Sequence, residues 1–256
     1  MEREDLGPGA GEQCIALTRD YRLIQGLRGH RYSVDDMLVA HLAGRGGSPR
    51  RALDLGCGIG SVLLIIAWRF PSLELVGLER LPEHVALARR NVRLNRCEGR
   101  ARIVAGDLRD DDVVSSLGSF DLVTGTPPYF DPAGGTLCED PARAAAHFEL
   151  AGGIEDYAAA ASRALCPGGV FVTCAGAEPP RRAPAALERA GLSLLHEQSV
   201  VPRAGKAPFL TLLVGAKAEP TAPAPLPPLV LRDADGRRTA AHVAIREWTG
   251  IPVKIP

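Results

Sequence analysis

The sequence predicts an α/β fold in which a mostly parallel sheet is flanked by helices. Three observations carry this. From Arg51 onward, short apolar runs of strand length alternate with longer helical segments, the pattern of βαβ units with right-handed crossovers. The first run, Ala52 to Leu55, passes through a loop with alternating glycines (Gly56, Gly58, Gly60) straight into an apolar helix. Carboxylates then recur where successive runs end or pass into loops, at Asp54, Glu79 and Asp107.

Each element has its own local reason. Ile15 to Tyr32 mixes alternating apolar residues with glycines and predicts a hairpin. Ser33-Val34-Asp35-Asp36 predicts a helix start, because Ser or Asp caps free backbone N–H groups ahead of Met37, Leu38, Ala40 and Leu42. After the glycine loop the apolar helix ends near Phe70-Pro71. Leu73 to Leu78 predicts the second strand, Glu83 to Asn95 a helix, Arg102 to Ala105 the third strand and Phe120 to Thr124 the fourth. Tyr157 to Leu165 predicts a helix, and Pro167-Gly168-Gly169 a turn into the strand Val170 to Thr173. A helix around Ala185 to Ala190 precedes two late strands, near Leu192 to Leu195 and Phe209 to Val214. That makes a seven-stranded sheet. The Pro/Ala segment 219–228 lacks periodicity and predicts a semi-rigid linker. Beyond it Leu229-Val230-Leu231, Asp235-Gly236 and Ala240 to Trp248 predict a strand, a turn and a closing helix. The expected organisation is an N-terminal hairpin and helix cap (1–48), a core (49–218), the linker (219–228) and a strand–helix extension packed on the core (229–256).

Composition sets outer limits. At 256 residues the chain can bury one substantial core, and 46% hydrophobic with 23% charged residues excludes a mainly disordered chain. Thirty basic and thirty acidic residues balance, so bulk charge gives no support for generic nucleic-acid binding. The cysteines show no C-x-x-C spacing, which argues against a structural zinc and fits free thiols in a reducing compartment. The first residues are acidic and polar, unlike a signal or transit peptide. The apolar run Val62 to Trp68 is far too short to span a bilayer. A cytoplasmic protein with no membrane partner and no metal is expected.

The glycine loop is the sharpest chemical signal. Glycine lets a ligand approach the backbone where a side chain would clash, although tight strand-to-helix turns also use it. Asp54 directly before the glycines suits a ligand carrying an ammonium group, whereas a pyrophosphate would be repelled there. The spacing also departs from the G-x-G-x-x-G dinucleotide fingerprint. Glu79 lies about twenty residues on, where an acidic side chain accepts hydrogen bonds from ribose hydroxyls. Asp107 follows the third strand, at the position where an adenine amino group would lie. After the fourth strand come Thr126-Pro127-Pro128-Tyr129. The prolines fix a turn and leave carbonyls without competing N–H donors, and Tyr129 offers a flat face. Position beside the glycine loop makes this the expected acceptor site.

Asp54 to Gly60 with Glu79, Asp107 and the Pro-Pro-Tyr loop resembles the Rossmann-like class I methyltransferases of the "small domain" group, whose best-known loop, Asn-Pro-Pro-Tyr, serves methylation of amino or amide nitrogens. Arg22 to Gln25 and Tyr32 to Ala40 resemble the N-terminal signature of bacterial tRNA(Val) adenine 6-amino methyltransferases. The resemblance implies S-adenosylmethionine as cofactor, held by Asp54, Gly56, Gly58, Gly60, Glu79, Asp107 and Thr126, with Ser33 and Asp35 in the segment that covers it. It implies that Thr126 and the Pro127 backbone orient an acceptor nitrogen, with Pro128 and Tyr129 completing the loop. The implied acceptor is an exocyclic amine of an RNA (tRNA) adenine. Two departures stand out. Thr126 replaces the family's asparagine, as serine does in cytosine-amino methyltransferases, and leaves open a small-molecule or protein nitrogen as acceptor. The family's Arg-His-Glu segment is reduced to His147 after Ala145-Ala146. A cofactor-binding scaffold without turnover is the remaining alternative.

Overall fold

A computed structural model describes residues 6–129, 152–219 and 223–251 of the chain. A hairpin opens it, with β1 (Glu12–Ala16) antiparallel to β2 (Arg22–Gly26). The helix α1 (Val34–Ala43) follows. Then come β3 (Arg51–Leu55), α2 (Ser61–Arg69), β4 (Glu74–Glu79), α3 (Pro82–Leu94) and β5 (Ala101–Ala105). A short helix α4 (Asp111–Ser116) precedes β6 (Phe120–Gly125). The second half holds α5 (Ile154–Ala164), β7 (Leu165–Gly176), α6 (Arg182–Arg189), β8 (Ser193–Val201) and β9 (Leu210–Ala216). Two strand fragments, β10 (Ala224–Pro225) and β11 (Leu229–Val230), and the helix α7 (Ala240–Trp248) end the described chain.

The sheet runs β10-β8-β9-β7-β6-β3-β4-β5, with β11 also on β8. Pairing is parallel except that β9 is antiparallel to both β7 and β8. Two cores lie on its two faces. One gathers apolar residues of α1, α2, α3 and α7, such as Leu38, Ile65, Val85 and Ile245. The other gathers those of α4, α5 and α6, such as Val114, Ala161 and Leu187. This is the three-layer Rossmann-like architecture that the alternating pattern predicts.

Three details differ from the sequence expectation. Among the described residues the sheet has nine strands rather than seven, because Ala224–Pro225 and Leu229–Val230 pair in parallel with β8. The segment read as a linker thus gives β10 to the sheet edge, where a proline's missing donor costs nothing. Pro167-Gly168-Gly169 lies inside β7: Gly168 N–H donates to Lys217 O and Lys217 N–H to Gly169 O, while a register shift opposite Phe120 absorbs the turn. The helix α4 is the third, a single acidic turn and a half capped by Asp110, whose side chain accepts from Asp112 and Val113 N–H.

β3 sits between β4 on one side and β6 on the other, so successive crossovers leave it in opposite directions. The carboxyl ends of β3 to β6 border such a switch point, where open α/β sheets hold ligands. The hairpin is brought to this end by α3. Asn91, fully buried, accepts from Ile24 N–H at 2.7 Å and donates to Ile24 O at 2.9 Å and Ile59 O at 3.0 Å. One turn on, Asn95 does the same for Arg22, at 2.8 Å in both directions. Two amides at helical spacing thereby imitate a neighbouring strand for the free edge of β2. Asn91→Ala would leave three buried backbone groups without partners. Urea unfolding should show a loss of about 3 kcal/mol or more, against about 1 kcal/mol or less for an exposed α3 substitution.

Candidate functional site

The glycine loop takes its shape from backbone angles that other residues resist. Gly56, Gly58 and Gly60 have φ of +57°, +54° and +89°, in the left-handed region. Space is equally restrictive: a Cβ on Gly56 would collide with the Tyr157 hydroxyl, and one on Gly58 would sit 2.8 Å from His30 Nε2. Cys57 N–H donates to Leu78 O, tying the loop to the end of β4. Glu79 completes the tie. Its Oε2 accepts from Gly58 N–H at 2.9 Å, and its Oε1 accepts from Arg80 and Leu81 N–H at 2.9 and 2.8 Å. One carboxylate therefore organises the turns that follow both β3 and β4.

Asp54 lies beneath the loop, 4% exposed, and accepts from the Thr124 hydroxyl at 2.8 Å across the β3–β6 pairing. Its Oδ2 is buried and makes no hydrogen bond of normal geometry among the described residues. Burial pushes the Asp54 carboxyl up to about 7, opposed by the Thr124 hydroxyl and the Leu63 amide and reinforced by the charge of Glu79. Asp36 of α1 is equally buried and also raised by burial to about 7, though it accepts from Ser33 N–H at 3.1 Å and from Ser61 Oγ at 2.8 Å. Uncompensated buried carboxylates of this kind invite a cation.

A cleft of about 680 Å³, its open mouth included, runs along the carboxyl ends of the strands. Gly56, Gly58, Glu79, Asp107, Thr126 and Pro128 all border it. Asp107 is gripped by Arg109, with Nε on Oδ1 at 3.0 Å and Nη2 on Oδ2 at 2.6 Å, and this ion pair holds its carboxyl below the usual range. Thr126 is half-buried at the rim. Leu78, Leu81 and Leu108 supply apolar walls for a flat ring. Asp54 and Gly60 lie behind the loop rather than on the cleft surface. Pro127 is buried, and Ser33 and Asp35 stand at the head of α1. Tyr129 turns away from the cleft, its hydroxyl donating to Asp35 Oδ2 at 2.8 Å. His147 lies outside the described residues.

Residues 33–148 match the family model described as the methyltransferase small domain. That match covers less than half of the chain. Over 105 residues the chain is 34% identical to a tRNA1(Val) (adenine(37)-N6)-methyltransferase of Porphyromonas gingivalis, covering 39% of this chain and 41% of the relative. A protein of the same name from Yersinia pestis is 36% identical over 100 residues, covering 39% of each. The matches thus span about two fifths of these relatives' length. Among solved structures, a predicted O-methyltransferase of Agrobacterium tumefaciens superposes with a TM-score of 0.65 at 21% identity, over 86% of this chain and 99% of that one. A 16S rRNA N2 G1207 methyltransferase of T. thermophilus, solved with AdoMet and guanosine, gives 0.54 at 21% identity, over 77% of this chain and 47% of that one. These likenesses establish the fold. No helix of the described residues is long and apolar enough to cross a membrane.

The cleft also holds residues that sequence patterns did not single out. Tyr157 of α5 is buried against the cleft, and a Cβ on Gly125 would lie 2.7 Å from its ring. Glycines at 56 and 125, each a strand end facing one tyrosine, are the trace it leaves in the sequence. His30 and His84 border the cleft with ring centroids 5.3 Å apart. Arg109, two residues past Asp107, is the remaining addition.

The raised Asp54 carboxyl makes a prediction about stability. Its folded-state value of about 7 exceeds the unfolded value near 3.8. Its contribution to stability is therefore full below about pH 4 and is lost as pH rises through 7. Asp54→Asn removes that loss. The melting temperature of the variant minus that of the unliganded wild type should increase from pH 5 to pH 8. A difference that stays level or falls would show that Asp54 is not a buried, raised carboxyl.

Proposed function

We propose that the chain is an S-adenosylmethionine-dependent N-methyltransferase whose acceptor is an exocyclic amino group of a tRNA adenine. The observation that carries this is the convergence, inside one cleft, of the glycine loop, Glu79 and Asp107 with Thr126 and Pro128 at the rim. The residues fit such a cofactor. The charge of Asp54, buried just behind the loop with one oxygen unpartnered among the described residues, favours an ammonium, and Gly56 and Gly58 border the cleft where a methionyl chain would lie. Glu79 and Asp107 retain lone pairs for ribose and adenine, and Ser33 contributes at the head of α1. When bound, S-adenosylmethionine would supply a sulfonium methyl to the acceptor nitrogen, which would then release one proton to solvent, with S-adenosylhomocysteine as the other product.

The chain's own residues hold the acceptor. An adenine amine is a weak nucleophile because its lone pair is delocalised into the ring. A hydroxyl at Thr126 and the Pro127 carbonyl accept its hydrogens as charge develops, which favours the attacking geometry. The tRNA acceptor is supported by the names of the curated relatives over their matched part. On this reading the enzyme acts in the cytoplasm. Thr126 in the asparagine position favours a second reading, methylation of a small-molecule or protein nitrogen, in which the loop serves as a wall.

The deciding experiment is transfer of labelled methyl from S-adenosylmethionine to separated tRNA, protein and metabolite fractions. Label in tRNA adenine supports the first reading, label in another fraction supports the second, and no transfer with intact cofactor binding leaves a scaffold. On the true acceptor, Thr126→Val should lower kcat by about tenfold or more while S-adenosylhomocysteine affinity stays level, since only a transition-state contact is removed. Full activity of Thr126→Val would make the hydroxyl a bystander. Asp54→Ala should weaken S-adenosylhomocysteine binding about tenfold or more by calorimetry, the worth of a charged hydrogen bond.

A further inference from the structure

Adjacent residues on a helix point about 100° apart, so Asp35 and Asp36 at the head of α1 face different neighbours. Asp36 is turned to the cofactor side. It accepts from the hydroxyl of Ser61, the first residue of α2 and the one directly after Gly60. Asp35 is turned to the acceptor side and accepts from the Tyr129 hydroxyl at 2.8 Å. Tyr129 is the last residue of the Thr-Pro-Pro-Tyr loop, and its ring packs over β7, where a Cβ on Gly176 would lie 3.4 Å from it. The base of that loop is fixed separately, by the Thr173 hydroxyl donating to Gly125 O at 2.9 Å.

Between these two anchors lie only Thr126, Pro127 and Pro128. Prolines have restricted φ and no donor to make further bonds of their own. Among the described residues, the far end of the loop is held by the Tyr129–Asp35 hydrogen bond together with the packing of the Tyr129 ring over β7. Burial raises the Tyr129 phenol, so it stays a donor at neutral pH.

We propose that Asp35 is a positioning residue for the acceptor loop, holding Tyr129 so that Thr126 and the Pro127 carbonyl stand at a fixed distance from the cofactor loop that Asp36 and Ser61 secure. One turn of α1 thus sets the spacing between the two halves of the site. This differs from the role that family resemblance implies for Asp35, direct contact with the cofactor. It rests on the methyltransferase reading only for its catalytic consequence.

The test compares Asp35→Ala, Tyr129→Phe, their combination and Asp35→Asn. Asparagine keeps an acceptor oxygen for the hydroxyl, whereas the first two variants each remove the same hydrogen bond. Hydrogen–deuterium exchange at the Thr126 and Tyr129 amides of the full chain, the two that this loop carries, needs neither cofactor nor acceptor, so it stands apart from the proposed reaction. Exchange there should quicken about fivefold or more in either single variant, no further in the double, and return toward wild type in Asp35→Asn. Methylation of an unmodified tRNA(Val) transcript should then lose about tenfold in kcat in both single variants, with S-adenosylhomocysteine affinity within about twofold of wild type. Unaltered exchange, or losses that add in the double variant, would overturn the proposal. So would a fall in S-adenosylhomocysteine affinity with kcat retained in Asp35→Ala, which would return Asp35 to the cofactor. If the transcript is not methylated by the wild type, the acceptor reading fails, and exchange alone decides the role of Asp35.

Discussion

Three backbone amides, from Gly58, Arg80 and Leu81, converge on the carboxylate of Glu79. The rest of the site depends on that convergence. Without it, two turns rich in unsatisfied N–H groups would stand at the end of the sheet with nothing to set their separation. With it, the glycine loop is drawn against β4, its amides are arranged along one wall of the cleft, and α2 starts in a fixed direction. The positive backbone angles at Gly56, Gly58 and Gly60 are the conformational requirement of that arrangement, and Tyr157 and His30 occupy the space that side chains there would fill.

The same arrangement makes Asp54 expensive. Its carboxylate is enclosed by the loop it supports, with one oxygen bonded to Thr124 and the other unpartnered among the described residues. Asp36 is buried nearby under the same stress. A fold selected for stability alone would favour apolar residues at such positions, since burying a charge without a partner is unfavourable. Retaining two such carboxylates beside an open cleft is the expected signature of a site whose ligand supplies the missing positive charge. The electrostatic cost in the unliganded protein and the affinity for the ligand are two sides of one interaction.

Much of the layered fold was legible because its periodicities are local. Strand lengths, the glycine loop and the helix over Ala240–Trp248 follow from residues within a few positions of each other. What escaped depends on distant partners. Asn91 reads as an ordinary polar residue on α3, and only its contact with Ile24, 67 positions away, makes it a surrogate strand. Tyr129 reads as a stacking face, yet its hydroxyl is committed to Asp35, 94 positions away. The pairing of Ala224–Pro225 with β8 was hidden for a different reason, because a proline-rich composition outweighs a two-residue strand at a sheet edge. In the site, Glu79 was visible as a strand-end carboxylate, but its role as a backbone clasp was not, since amide donors leave no mark in a sequence.

The central claim is that this clasped loop is one wall of a cofactor cleft. A crystal structure of the protein with S-adenosylhomocysteine tests it most directly. The account predicts ligand density along the cleft from Gly58 to Asp107, with the ribose beside Glu79 and the Glu79 bonds to Gly58, Arg80 and Leu81 intact. Density outside the cleft, or a cleft that stays empty at saturating ligand while Glu79 keeps its three amides, would contradict it.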